Sequence, residues 1–259
     1  MRARIEEIMS APQDTVLLSS ERFEFSAPDQ LARLFPDATM RIIVFLRRQD
    51  ERLESRFNQN LKRRLISSAD AVRFEQRAAT NDYKTLLHWE DVFGAGNIIV
   101  LPFEKNAIKD GLERTFMRAL CLEWDDNFVI SDPANTRLSR DCIAFLQERF
   151  PDRQSQEGYF PKLKYLLESY TARHPDPPQY RHVFPPATRL AILELCRESN
   201  EQVARHFLGR TDGILFHDPE PSPDDPWEPY PGLSDSARND ILDYLLEAGV
   251  DLRHEPVSV

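Results

Sequence analysis

Three short apolar runs mark the first hundred residues: 16–20 (VLLSS), 41–46 (RIIVFL) and 97–103 (NIIVLPF). Each is rich in Val, Ile or Leu at successive positions, the pattern of a strand covered on both faces. Helical spacing separates them. Residues 28–35 predict a short helix. Residues 50–65 predict a clearer one, in which Leu53, Phe57, Leu61 and Leu65 recur on one stripe. Residues 70–93 predict a long or broken helix with Phe74, Tyr83, Leu86, Leu87 and Trp89 facing inward. Strands alternating with helices imply an α/β fold, a parallel sheet flanked by helices.

Beyond residue 104 the pattern turns helical. Helices are expected over 111–120, 137–150, 161–171 and 186–208, the last opening on a proline and stopping before Gly209. Residues 218–231 hold six prolines and five acids, which reads as an extended acidic linker or wrapping arm. Residues 234–248 close the pattern as an amphipathic helix that Ser234 can cap, with Ile241, Tyr244, Leu245 and Ala248 on its stripe. The expected organisation is an α/β body over 1–217 with a helical C-terminal half, a linker over 218–233, and a C-terminal helical segment over 234–259.

Composition narrows the function classes. At 259 residues, one large domain or two small ones fit a prior of ~150 residues per domain. No apolar run approaches the ~18 residues of a membrane span, and the opening MRARIEEIMS has no apolar core of a secretory leader. Cys121, Cys142 and Cys196 fit neither a zinc site nor a disulfide framework, so a cytoplasmic setting is expected. No histidine pairs at helical ligand spacing, so no metal is expected. His88, beside Trp89, reads as a packed residue or a minor alternative base, and Asn200 as a buried polar anchor. The formal charge of −10 argues against general nucleic-acid binding. That charge is uneven. Residues 41–64 carry eight bases and three acids, a local +5 that leaves −15 elsewhere. Such a patch suits a small specific anion. On charge alone it suits better a solvated helix face laced by i,i+4 pairs of Asp50, Glu54 and Asn58 with Arg48, Arg52 and Arg56.

The chemistry-bearing piece is RIIVFLRRQDERLESRFNQNLK, residues 41–62. A strand runs into a helix, with Arg47 at the strand's carboxyl end, where open α/β sheets bind ligands. Asp50 can cap the helix. Ser55, Asn58 or Gln59, and Lys62 are expected on one face, opposite the leucine stripe. A guanidinium fork and a hydroxyl converging near a helix start suit a phosphate.

A strand-terminal Arg followed eight residues later by Ser resembles the 3′-phosphate signature of PAPS-dependent sulfotransferases (PAPS is 3′-phosphoadenosine 5′-phosphosulfate). Arg47 and Ser55 occupy those positions. VLLSSERF at 16–23, YKTLLHWEDVFGAGNIIVLPFEK at 83–105 and the helical stretches NTRLSRDCIAFLQ and RESNEQVARHFLGRTDGILFHDP extend the resemblance over about residues 14–218, toward a bacterial branch of the family. It implies a P-loop NTPase-like fold and transfer of a sulfuryl group from PAPS, leaving PAP, to an acceptor hydroxyl, with a carbohydrate as the expected acceptor. Arg47 and Ser55 would hold the 3′-phosphate, helped by Asn58, Gln59 or Lys62. Glu21, in SSERF, would be the general base that takes the hydroxyl proton. Read on its own, Glu21 is equally an exposed residue at a strand end.

The family also opens with a loop of the KTGTT kind around the 5′-phosphosulfate, and this sequence has none, Met1 falling after its place. Two readings therefore stand: a sulfotransferase, or a non-catalytic protein or truncated remnant of that fold.

Overall fold

A computed structural model describes residues 15–20, 23, 27–62, 81–125, 127–129, 137–150 and 160–253. Among them run α1 (Pro28–Leu34), β1 (Ile42–Arg47), α2 (Gln49–Lys62), α3 (Asp82–Phe93), β2 (Ile98–Phe103), α4 (Leu112–Ala119), α5 (Arg140–Arg149), α6 (Phe160–Arg173), α7 (Pro186–Leu208) and α8 (Asp235–Glu247). The two strands pair with each other as a small parallel sheet, so the class is α/β. The described residues divide into two units, with boundaries after Leu46, Leu101, Glu198 and Leu215 and before Asn81.

The first unit holds α1, most of both strands, α3 and the end of α7. Its apolar interior is made by Phe35, Leu46, Leu86, Trp89, Ile98, Val100, Val203 and Leu215. Asn81 caps α3 by accepting the Lys84 N–H at 2.9 Å, and Gly94, at φ +85°, ends it. That φ lies where a side chain is strained, so glycine suits the stop. Three sequence expectations change here. Residues 16–20 are exposed and form no strand: an apolar run becomes a strand only when its backbone finds a partner, and β1 and β2 take each other. Nor are the strands covered on both faces. Burial in β2 alternates, with Ile98, Val100 and Pro102 inward, and most of β1 is half-buried. His88 is exposed, 3.8 Å from Asp29, not packed beside Trp89.

The second unit holds α2, α4, α5, α6, the first half of α7 and α8. One cluster joins Leu53, Phe57 and Leu61 of α2 to Leu138, Ile143 and Leu146, to Leu163 and Leu167 of α6, and to Ile241 and Leu245 of α8. Phe57 meets Phe184 edge to face at 5.6 Å. The Ser139 hydroxyl caps α5 by accepting from Cys142 N–H at 3.3 Å, and Ser234 caps α8 by accepting from Ala237 at 3.1 Å.

The boundary expected at 217–218 falls inside this unit. The proline-rich residues 218–231 wrap it as an arm. Glu228 N–H donates to the Gln179 carbonyl at 3.0 Å, Trp227 Nε1 donates to the His182 carbonyl at 3.1 Å, and the Tyr230 hydroxyl donates to Asp141. The arm carries α8 into the core, which makes α8 an integral layer. Cys142 and Cys196 are buried, and burial pushes the Cys142 thiol up to about 11. Cys121 is exposed in the turn after α4.

Removing the Phe57 ring strips this cluster of one of its largest buried side chains. Phe57→Ala is expected to cost about 3–5 kcal/mol, while Val129→Ser, at a site 91% exposed, stays within about 0.5 kcal/mol. Urea denaturation followed by circular dichroism checks both.

Candidate functional site

The helix α2 carries two polar rows, and their separation defines the candidate site. Its first hydrogen bond runs from Arg52 N–H to the Arg48 carbonyl at 2.9 Å, so Arg48 sits at the capping position and Asp50 lies inside the first turn. Asp50 is fully buried rather than an exposed cap. Its Oδ1 accepts from Arg48 Nε at 2.8 Å, and its Oδ2 accepts from Arg189 Nη2 at 2.6 Å and Nε at 3.1 Å. Burial alone would raise its pKa, but the bonds and charge of Arg48, with Arg189, hold it below the usual carboxylate range. Arg48 also donates from Nη1 to the carbonyls of Asp218 and Pro219, at 3.2 and 2.6 Å.

One turn on, Glu54 is buried as well. Its Oε1 accepts the backbone N–H groups of Val183 and Phe184 at 3.0 and 3.3 Å. Its Oε2 lies 2.8 Å from His182 Nδ1 and 3.3 Å from Arg137 Nη1. Burial pushes this carboxyl up, and His182 with Arg137 outweighs it, leaving the pKa lowered. Asn58 Nδ2 donates to the Leu138 carbonyl at 3.3 Å. Lys62, 1% exposed, reaches Glu168 at 3.4 Å, and burial depresses its pKa. Asp50, Glu54, Asn58 and Lys62 thus form one inward row at four-residue spacing.

The second row is outward. Arg47, Glu51, Ser55 and Gln59 recur at the same spacing and stay half-buried. Arg47 closes β1, bonds Glu51 from Nε at 3.2 Å, and lies 5.7 Å from the Phe103 ring centre at the end of β2. Of the five residues expected around a 3′-phosphate, the structure keeps Arg47, Ser55 and Gln59 on this accessible row. It turns Asn58 and Lys62 inward, where both have structural partners. They bond within the fold because the apolar stripe of α2 is broad enough to take the adjacent polar row with it. Glu21 lies outside the described residues.

Sequence reading missed Glu54, Arg189 and the buried state of Arg48. The signal was present in the four-residue recurrence of Asp50, Glu54, Asn58 and Lys62 beside Leu53, Phe57 and Leu61. No local cue shows that distant Arg137, His182 and Arg189 neutralise the acids. No cluster of His, Cys, Asp and Glu that could hold a metal occurs among the described residues. Among those residues no helix is long and apolar enough to cross a membrane.

No family model matches the chain, and no solved structure matches it. The chain is similar to an uncharacterized protein of Archaeoglobus fulgidus, 25% identical over 183 residues. That match covers 70% of this chain and 49% of the archaeal protein, so the chain spans about half the length of the relative it matches.

Acid should dismantle the inward row. A carboxylate whose folded pKa is lowered stabilises the protein fully above its unfolded value, near 3.8 for Asp50 and 4.5 for Glu54. That stability is lost as pH falls through the lower folded values. Glu54→Gln, which leaves Arg137 and His182 without their carboxylate, is expected to cost about 3–5 kcal/mol at neutral pH and to flatten the acid limb. Denaturation midpoints measured from pH 7 down to pH 2 check both effects.

Proposed function

We propose that this chain binds the nucleotide PAPS, or its product PAP, as a sulfotransferase-like protein of P-loop NTPase-like fold, and that the reaction it serves is sulfuryl transfer to an acceptor hydroxyl, with a carbohydrate as acceptor. The observation that supports this reading best is the strand–Arg47–helix–Ser55 unit. Arg47 stands at the carboxyl end of β1 beside the end of β2, and Ser55 follows on the outward row of α2, two turns along. A strand-end guanidinium with a hydroxyl on the adjoining helix presents fork and donor to one phosphate.

The rest of the unit supports a binding role without helping the phosphate directly. Gln59 continues the row. Asn58 and Lys62 hold α2 in place from inside. Glu51 bonds Arg47 and partly neutralises it, so an incoming phosphate must replace that carboxylate as the partner of the guanidinium. Glu21 keeps its proposed role as the base, and a cytoplasmic setting accompanies this reading. The second reading, a non-catalytic binding protein or remnant of sulfotransferase fold, is favoured by that same Glu51 contact, because a carboxylate beside the 3′-phosphate weakens nucleotide capture.

Calorimetric titration of PAP into the full chain tests the nucleotide site. Saturable binding is expected, reduced ~10-fold or more in Arg47→Ala through loss of a charge-assisted bond. Glu51→Gln should tighten binding, because the guanidinium is released to the phosphate. Lys62→Met should leave PAP affinity unchanged, since that ammonium faces Glu168. No binding by a folded chain, or binding indifferent to Arg47, would sink the nucleotide reading.

A further inference from the structure

We propose that a cavity beneath the proline-rich arm is a binding site for a small aromatic carboxylate, separate from the Arg47–Ser55 row. The cavity has a volume of about 210 Å³. Drug-sized ligands fill roughly 300–1,000 Å³, so this one admits a single ring with a short substituent. Its walls are Trp227 and Tyr230 of the arm and Arg140 of α5, its floor includes Phe57 and Leu61 of α2, and Gln147 adds a polar edge.

The aromatic walls are held by their polar ends. Trp227 Nε1 donates to the His182 carbonyl and the Tyr230 hydroxyl donates to Asp141. Both rings therefore stand in fixed positions with their polar atoms already satisfied. What they offer a ligand is ring surface, which favours an aromatic body. Phe57 and Leu61 extend that apolar surface, and neither side chain has a donor or acceptor for the hydroxyls of a sugar.

The charge at the cavity comes from Arg140. Its guanidinium lies 5.1 Å from the Tyr230 ring centre. Among the described residues no carboxylate forms an ion pair with it. The nearby acid, Asp176, accepts the Arg140 backbone N–H at 2.8 Å instead. Burial, together with the neighbouring charge of Arg137, weakens the hold of Arg140 on its proton, against the pull of Asp176. Arg137 itself has Nε and Nη2 buried with no hydrogen-bond partner, although its Nη1 meets Glu54. Of these two guanidiniums only that of Arg140 lines the cavity, and an anion there would meet it directly. A carboxylate matches the planar fork of Arg140 in two parallel bonds. A ring against Trp227 and Tyr230 and a carboxylate on Arg140 specify a benzoate-like molecule.

The probe is benzoate, titrated into the full chain and followed by saturation-transfer NMR, with benzyl alcohol and glucuronate beside it. Benzyl alcohol keeps the ring and lacks the charge; glucuronate keeps the carboxylate on a saturated, hydroxylated ring. Benzoate is expected to bind with a Kd of ~1 mM or tighter, and each comparison ligand ~10-fold or more weaker. Arg140→Gln should weaken benzoate ~10-fold or more while PAP titration stays unchanged, and Trp227→Leu should weaken it too. The absence of saturable benzoate binding overturns the proposal. So does equal affinity for benzyl alcohol or glucuronate, or benzoate binding unchanged in folded Arg140→Gln. The three-ligand comparison on the unsubstituted chain decides the matter even if a variant does not fold, and it is independent of the outcome with PAP.

Discussion

A carboxylate can lie wholly inside a protein only if opposite charge and N–H donors answer it from fixed positions. Asp50 imposes that condition on the first turn of α2, and much of the second unit is arranged to meet it. Arg48 answers from one side and Arg189, on α7, from the other. Arg48 then reaches on to two carbonyls of the proline-rich arm. Glu54 repeats the arrangement one turn later, with the backbone at 183–184, His182 and Arg137. Through two acidic side chains the start of α2 is bound to α7, to the segment before it, and to the arm. Burial of this kind contributes little net stability compared with an apolar equivalent. What it fixes is rotation: α2 cannot turn about its axis without exposing one unanswered charge or stranding another.

That fixed rotation decides which residues remain available for chemistry. With Asp50, Glu54, Asn58 and Lys62 held inward, Arg47, Glu51, Ser55 and Gln59 face out. The basic surplus of residues 41–64 is not reduced by burial, because Arg48 and Lys62 go inward together with Asp50 and Glu54. Arg48 and Lys62 are internal and answered by acids, and Arg47 meets Glu51. At the end of β1 the half-buried guanidinium of Arg47 has a carboxylate, Glu51, as its neighbour.

The local pattern was legible where one apolar stripe dominates. The four-residue recurrence of Leu53, Phe57 and Leu61 located α2, the proline and glycine punctuation bounded α7, and Ser234 marked the start of α8. β1 and β2 were legible as apolar runs, but residues 16–20, just as apolar, form no strand, because strand formation depends on a partner that no run contains within itself. The position of Arg47 at a strand end could be read in advance. The inward turn of Asn58 and Lys62 could not, since helical spacing gives the angle between residues but not the direction of the core. That direction is set by Arg189, Arg137 and Glu168, residues separated from α2 by 75 positions or more in the chain. The same distance hides the cavity under the arm, whose lining comes from four separate stretches.

Ile241 and Leu245 sit in the same cluster as Phe57 and Leu146, and the arm that brings them there is pinned at Glu104, Gln179 and His182. During synthesis, then, the earlier helices of the second unit emerge with one side of their core uncovered, and the covering layer leaves the ribosome after them. Until then, the leucine and phenylalanine face awaiting α8 is open to other hydrophobic surfaces, so the vulnerable interval runs from the emergence of the earlier helices to the docking of α8, and its length is set by how quickly a segment stiffened by six prolines finds its track.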